Sequence, residues 1–202
     1  MNYSAPHSVR LGDIAMIKSG INIPRPAEGA EDLTRIPIIG AGSLINDAVV
    51  PLDRLELIET ERPERSQDFR VQEGDTLLTG RGTVLKFGLV GKGAEGGVAS
   101  GNVIIVRPFG EVVPAALYSY ISSDAFRPRV ELLRRGSTTL LSLSAKDLAK
   151  LEVSLPPIDE QHRIASLVLE AHDAYRNAIL AAELRRDLTK QIVMQRLFGE
   201  TS

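Results

Sequence analysis

Residues 91–96 read Gly91-Lys92-Gly93-Ala94-Glu95-Gly96, the Gly-x-Gly-x-x-Gly spacing that lets a loop backbone approach a dinucleotide pyrophosphate. That chemistry needs a helix directly after the loop, so that its first amides face the phosphates. Gly97-Val98-Ala99-Ser100-Gly101 and an apolar strand follow instead, and the match reads as accidental. Between Gly88 and Gly93 no lysine is followed by Ser or Thr, so a Walker-type phosphate loop is absent as well. Of the 3 histidines, His162 and His172 stand ten residues apart on a helical pattern, roughly 15 Å at the helical rise, too far to share a metal or a base-and-nucleophile role. With 0 cysteines there is no thiolate metal site, disulfide or cysteine nucleophile. The carboxylates of Glu59, Glu61, Glu64, Asp68 and Asp75 lie in turn-rich stretches of mixed charge without a lysine at nuclease-like spacing, and read as solvated loops.

Leu155-Pro156-Pro157-Ile158 shares its Pro-Pro with the Asn/Asp-Pro-Pro-aromatic motif of adenine methyltransferases, in which the polar residue binds the target amino group and the aromatic stacks on a flipped base. Both functional ends are aliphatic here, so a methyltransferase active site is excluded. The residue types point to binding, not catalysis.

The elements around these motifs divide the chain in two. Up to Pro157 the sequence alternates short strand patterns with Gly and Pro: Ile36 to Gly40, Thr76 to Thr79, Val84 to Val90 and Val103 to Arg107. Glycines cluster from Gly80 to Gly101 where the backbone turns tightly or meets something closely. Helical periodicity appears over Ala115 to Ile121 and around Phe126 to Arg134. Ser144 to Asp147 has capping-box spacing, and a strand is expected over Leu151 to Leu155. After Pro157 no Gly or Pro occurs until Gly199, and the stretch is rich in Ala, Leu, Glu, Arg and Gln. This predicts one helix from an N-cap at Asp159 to about Leu197, near 57 Å long, which must project beyond a small body. Leu167, Ala171, Ala174, Ala178, Ala181, Leu188 and Ile192 recur along it in steps of four and three, interrupted at Arg185, the spacing of a seam that packs on a partner helix. The expectation is an α+β fold: an irregular mixed-sheet domain with short helices over 1–157, then one long projecting helix over 158–202 that pairs as an antiparallel coiled coil.

A chain of 202 residues with 43% apolar content can bury a real core. No run of about 18 apolar residues and no signal-peptide pattern at Met1 to Arg10 is present, so a cytoplasmic chain without a membrane partner is expected. The formal charge of −2 opposes nucleic-acid binding on average. It is unevenly spread: −5 over residues 1–75, +4 over 76–157 and −1 over 158–202.

The run Leu155-Pro-Pro-Ile-Asp-Glu-Gln-His-Arg-Ile-Ala165 resembles the signature that opens the conserved helix of type I restriction-modification specificity subunits. Further pieces follow the order of that family: Val9 to Ala15, Gly74 to Thr83, Ala99 to Asn102, Gly136-Ser-Thr138 and Leu143 to Leu148. The resemblance implies a target-recognition domain that reads about half of a bipartite DNA site, and a helix that spaces it from the other half. It implies docking to DNA adenine methyltransferase subunits, which carry S-adenosylmethionine so that this chain needs no cofactor, and a possible restriction subunit. Family members usually hold two such domains and two helices, whereas this sequence shows one of each and no internal repeat. Two copies pairing head to tail would restore the arrangement with a C2 axis, and a helix of about 57 Å would hold two reading heads within roughly one and a half duplex turns.

Under that resemblance, the readers should be Arg, Lys, Asn, Gln or hydroxyl residues in loops, because these match the donor and acceptor patterns of base edges. Arg81, Lys86 and Lys92 stand in or beside the glycine-rich turns; Arg134, Arg135, Ser137, Thr138 and Thr139 form a basic and polar loop; Asn22 and Arg25 lie in an early Pro-rich loop. Arg134 and Arg135 are expected mainly on phosphates, which fix register without conveying sequence. Two other readings stay open: a protein-interaction module that binds no DNA, and the detached recognition domain of another adenine methyltransferase or phage-defence system.

Overall fold

A computed structural model describes residues 8–137 and 140–199, which fall into two compact units divided between Ala165 and Ser166. Thr138 and Thr139 lie outside the described residues. The first unit is built on a six-stranded mixed sheet. Its centre is β7 (Thr76–Thr79) against β11 (Val103–Pro108), antiparallel with Val103 opposite Thr79. β2 (Ala15–Ser19) lies beyond β11, and β9 (Phe87–Leu89), β5 (Ala48–Val49) and β4 (Leu44–Ile45) continue past β7, with β5 and β9 parallel.

Thr76 to Thr79 and Val103 to Val106 are buried along their whole length, because both faces of the sheet are covered. On one face Leu77, Val103 and Ile105 join Ile39, Leu44, Val49, Val71 and Ala99 in a single apolar cluster. Leu78 and Ile104 alternate to the other face, and α2 (Pro114–Ser122) packs on β9 and β11 with Leu117 and Ile121 buried. The body also holds a sheet of β10 (Val98–Ala99), β3 (Thr34–Ile39) and β6 (Glu56–Thr60) and a two-stranded pair of β1 (Val9–Arg10) with β14 (Glu152–Val153). The short α1 (Leu11–Ile14) follows β1, and Ser144 caps α4 (Ala145–Leu148), its side chain accepting from the Asp147 amide at 3.4 Å.

The α+β class and the long C-terminal helix are as the sequence predicts. The expected strand over Val84 to Val90 is shorter, because only Phe87–Leu89 pairs. Asp75 departs from its expectation as a solvated carboxylate. It is 1% exposed and takes two hydrogen bonds of 2.7 Å from Arg107 Nε and Nη2, with a third of 2.8 Å from the Gln72 amide. The hydrogen bond to Asp75 raises the Arg107 pKa above its ordinary value. Arg107 also donates to the Arg70 carbonyl at 3.0 Å, so this pair ties β11 to the turn that enters β7.

α5 (Ile158–Phe198) runs 41 residues, about 61 Å at the helical rise. Its first turn is fixed to the body by Gln161, which is buried. The Gln161 side chain accepts from the Val113 amide at 3.0 Å and donates to the Pro156 carbonyl at 2.9 Å. That contact gives the Pro-Pro…Glu-Gln run a physical purpose. No helix among the described residues is long and apolar enough to cross a membrane.

Candidate nucleic-acid interface

Of the residues expected to form a basic loop, Arg135 and Ser137 belong to a strand. β12 (Arg135–Ser137) pairs with β13 (Leu140–Ser142), which pairs in turn with β8 (Arg81–Gly82), all antiparallel. Arg135-Gly136-Ser137 has turn composition, but its backbone partners supply the order that local propensity lacks. Gly136 sits at φ +139, and a Cβ there would come within 2.2 Å of the Leu140 carbonyl, so only glycine fits where the two strands close together.

Register makes this small sheet a site. Ser142 stands opposite Arg135 on one side and Arg81 on the other, and residues directly opposite share a face. Arg135, Ser142 and Arg81 therefore form one cross-strand row. All three are exposed, and two strand spacings separate the arginine backbones by about 10 Å. Leu140, two residues from Ser142 and so on the same face, is 53% exposed. Asn102 adjoins the row: its carbonyl accepts from the Gly80 amide at 2.7 Å and the Arg81 amide at 3.2 Å. Arg135 also contributes to holding the Asp147 carboxyl below its ordinary pKa, after the larger effect of a 2.7 Å hydrogen bond from Lys150 and the charge of that lysine.

The other expected readers are scattered. The Ser137 backbone opposes Leu140. Lys86 is half-buried, with Nζ 3.5 Å from the Ala41 carbonyl, in a groove shared with Asn46, Asp47 and Arg127. Lys92 stands apart, exposed in the 3-10 turn Lys92–Ala94 beside Pro51. Asn22 and Arg25 line a groove of about 350 Å³ with Glu61, Arg62 and Arg65. It connects to the row through the chain at 100–102, since Ile21 bridges Ser100 and its carbonyl takes the Gly101 amide at 2.9 Å.

Arg134 needs correction. Its side chain is 2% exposed and donates to the Gly82 carbonyl at 2.5 Å, the Thr83 carbonyl at 3.4 Å and Glu131 at 2.8 Å. A guanidinium committed in this way does not meet phosphates. Sequence reasoning missed Ser142 and Leu140, which were hidden by reading the hairpin as a loop, and Asn102, whose place beside Arg81 comes from a turn after β10.

On α5, Leu167, Leu188 and Ile192 are exposed, as are Ala171, Ala174 and Ala178, while Ala181 is half-buried. Tyr175, Ile179, Leu184, Val193 and Leu197 are also exposed, so the apolar surface is wider than the expected seam. Ion pairs Glu160–Arg163 and Asp173–Arg176 run along the helix at i,i+3 spacing.

The structure thus presents an open strand face bearing two arginines and a long helix with exposed apolar residues. The chain belongs to the type I restriction modification DNA specificity domain family, whose profile matches residues 7–189. This is a family of non-catalytic recognition subunits. The chain is 28% identical over 166 residues to the type I restriction enzyme EcoBI specificity subunit of Escherichia coli, a match covering 77% of this chain and 34% of that protein. Among solved structures it resembles the type I restriction-modification S subunit of M. genitalium (TM-score 0.66, 14% identity, 96% of this chain and 46% of that one). It also resembles the HsdS subunit of Thermoanaerobacter tengcongensis (TM-score 0.59, 18% identity, 100% and 47%). These likenesses show the fold, and the chain spans about a third of the curated relative and less than half of each solved subunit.

Proposed function

We propose that this chain reads one half of a bipartite DNA site, pairs head to tail with a second copy through α5, and docks DNA adenine methyltransferase subunits in the cytoplasm. The row of Arg135, Ser142 and Arg81 on an exposed strand face carries the reading. A two- or three-stranded ribbon fits the major groove of B-DNA. There an arginine takes guanine O6 and N7 together, a serine adapts to either partner, and an aliphatic side chain such as Leu140 meets the thymine methyl. Asn22, Arg25 and Lys86 supply outlying polar contacts, and Lys92 contributes only to the general field. Ser137, Thr138 and Thr139 supply further hydroxyls, a chemistry that suits base edges or phosphates.

The pairing is supported by the apolar surface of α5. A surface of this extent left in water favours association, and the heptad-like steps from Leu167 to Ile192 suit an antiparallel partner of the same sequence. A C2 pair would require a palindrome with a gap, and a helix of about 61 Å limits the half-site separation to under two duplex turns. S-adenosylmethionine would be bound by the methyltransferase partner, and a restriction subunit could join the same complex.

The charge of −2 favours a second reading, a protein-interaction module without DNA. Gel-shift titration on a randomised duplex pool separates the two. The proposal expects a shift that weakens steeply between 50 and 200 mM salt, and light scattering at twice the chain mass; no shift at low salt would leave the second reading standing. Co-purification with a methyltransferase tests the docking.

A further inference from the structure

We infer that Arg134 is a positioning residue for the DNA-reading face: with Arg127 it clamps the loop that carries Arg81, and it acts on DNA only through Arg81. The inference rests on the DNA reading proposed above. β8 is two residues long and is joined to β13 by two register pairs, Gly82 lies at φ +147, and residues 83–86 have no regular structure. The loop's other backbone ties lie at its two ends, where the Arg81 amide donates to the Asn102 carbonyl at 3.2 Å and the Lys86 amide to Thr79 Oγ1 at 3.1 Å. Three carbonyls along the loop are nevertheless tied to α3 (Arg127–Glu131) and the turn after it. Arg134 Nη2 and Nη1 donate to Gly82 and Thr83, and Arg127 Nη1 donates to Leu85 at 3.0 Å. Each arginine is itself held. Glu131 orients Arg134 at 2.8 Å, and the Arg127 guanidinium lies 5.0 Å from the centre of the Phe87 ring on β9.

The chemistry suits arginine alone. A planar guanidinium presents several N–H groups in a fixed fork, so that Nη2 reaches the Gly82 carbonyl while Nη1 reaches both Thr83 and Glu131, whereas a lysine ammonium is a point donor on a flexible stem. Sequestering a guanidinium from water is costly unless it is paired and hydrogen-bonded, so its place beneath the loop marks a structural commitment. Arg81 and Arg135 keep their charge in solvent, where DNA reaches them; Arg134, one residue from Arg135, has turned to the opposite task.

The experiment is titration of the full chain with its selected duplex and with a scrambled duplex over several salt concentrations, for Arg134→Lys, Arg81→Ala and the double variant. The unaltered chain is measured first, and absence of any sequence preference in it overturns the DNA reading itself. With that preference present, Arg134→Lys is expected to lose roughly tenfold or more of it, the scale of one base contact, while the slope of log affinity against log salt stays constant. The double variant should bind no worse than Arg81→Ala, because Arg134 has nothing left to position. A slope that falls by about 0.9 in Arg134→Lys would make Arg134 a phosphate contact and overturn the inference. So would losses that add in the double variant, or an unchanged preference. Hydrogen exchange gives a reading independent of DNA: amides of 82–85 should exchange faster in Arg134→Lys with the β7 and β11 amides unchanged, and equal acceleration throughout would show general destabilisation instead.

Discussion

Replacing Arg81 and Arg135 by alanine, singly and together, separates reading from simple attraction, because the two kinds of contact leave different marks. A phosphate contact releases counterions: each lost contact lowers the salt slope by about 0.9 and, over a fourfold change from 50 to 200 mM, changes affinity about 3.5-fold on every sequence alike. A bidentate arginine–guanine contact contributes about 1–3 kcal/mol of discrimination at one base pair, a factor of roughly 5 to 150 confined to that position. The row geometry adds a spatial constraint. The arginine backbones stand about 10 Å apart across two strand spacings, and a base-pair rise of about 3.4 Å makes that roughly three base pairs. Selection and sequencing of DNA bound by each variant is therefore expected to show relaxed preference at one position for Arg81→Ala and at another about three base pairs away for Arg135→Ala. The assay reads both affinity and position from the same pools. Unaltered binding in both variants would refute the assignment of this face. Equal losses on all sequences, each with a slope drop near 0.9, would refute base reading and leave phosphate contacts.

Asp75→Ala should destabilise the body by about 3 kcal/mol, at the lower end for a broken buried ion pair because Arg107 retains partial access to water; urea unfolding is expected to show a midpoint lower by roughly 1 to 2 M. Leu188→Arg with Ile192→Arg places like charges on the α5 seam, and light scattering should show the chain mass halving while circular dichroism of the body is unchanged; a persistent dimer would reject the seam. Burial, followed by the charge of Asp47, raises the Tyr118 pKa, so the folded state keeps a proton that the unfolded chain loses above about pH 10. Stability contributed by the neutral ring is complete below that pH and falls as pH rises. Thermal unfolding from pH 8 to 11 should show the decline in the unaltered chain and a shallower one in Tyr118→Phe.

Much of the architecture was legible because it is written in local pattern. β7 is bounded by Gly74 and Gly80 and carries a continuous apolar pair between threonines, and α5 announces itself by the absence of Gly and Pro from Ile158 to Phe198. Arg81 and Arg135 were legible as residue types suited to DNA. Their alignment was not, because it depends on β13 lying between two strands more than fifty residues apart in sequence. The pairing of β12 escaped for the same reason: Arg135-Gly136-Ser137 has weak strand propensity, and its order comes from its partners. Arg134 and Asp75 mark a further limit. Charge type reads as surface by default, and nothing near either residue in sequence reveals the carbonyls of Gly82 and Thr83, or Arg107 across thirty-two positions.

Selection from a randomised duplex library at near-physiological salt, followed by sequencing of the bound pool, decides whether two copies of this chain read a bipartite DNA site. The expected result is a palindrome in two halves, with guanine among the discriminated bases and the half-sites separated by under two duplex turns. A bound pool without enriched sequence, or one short ungapped site bound by a single chain, would contradict it.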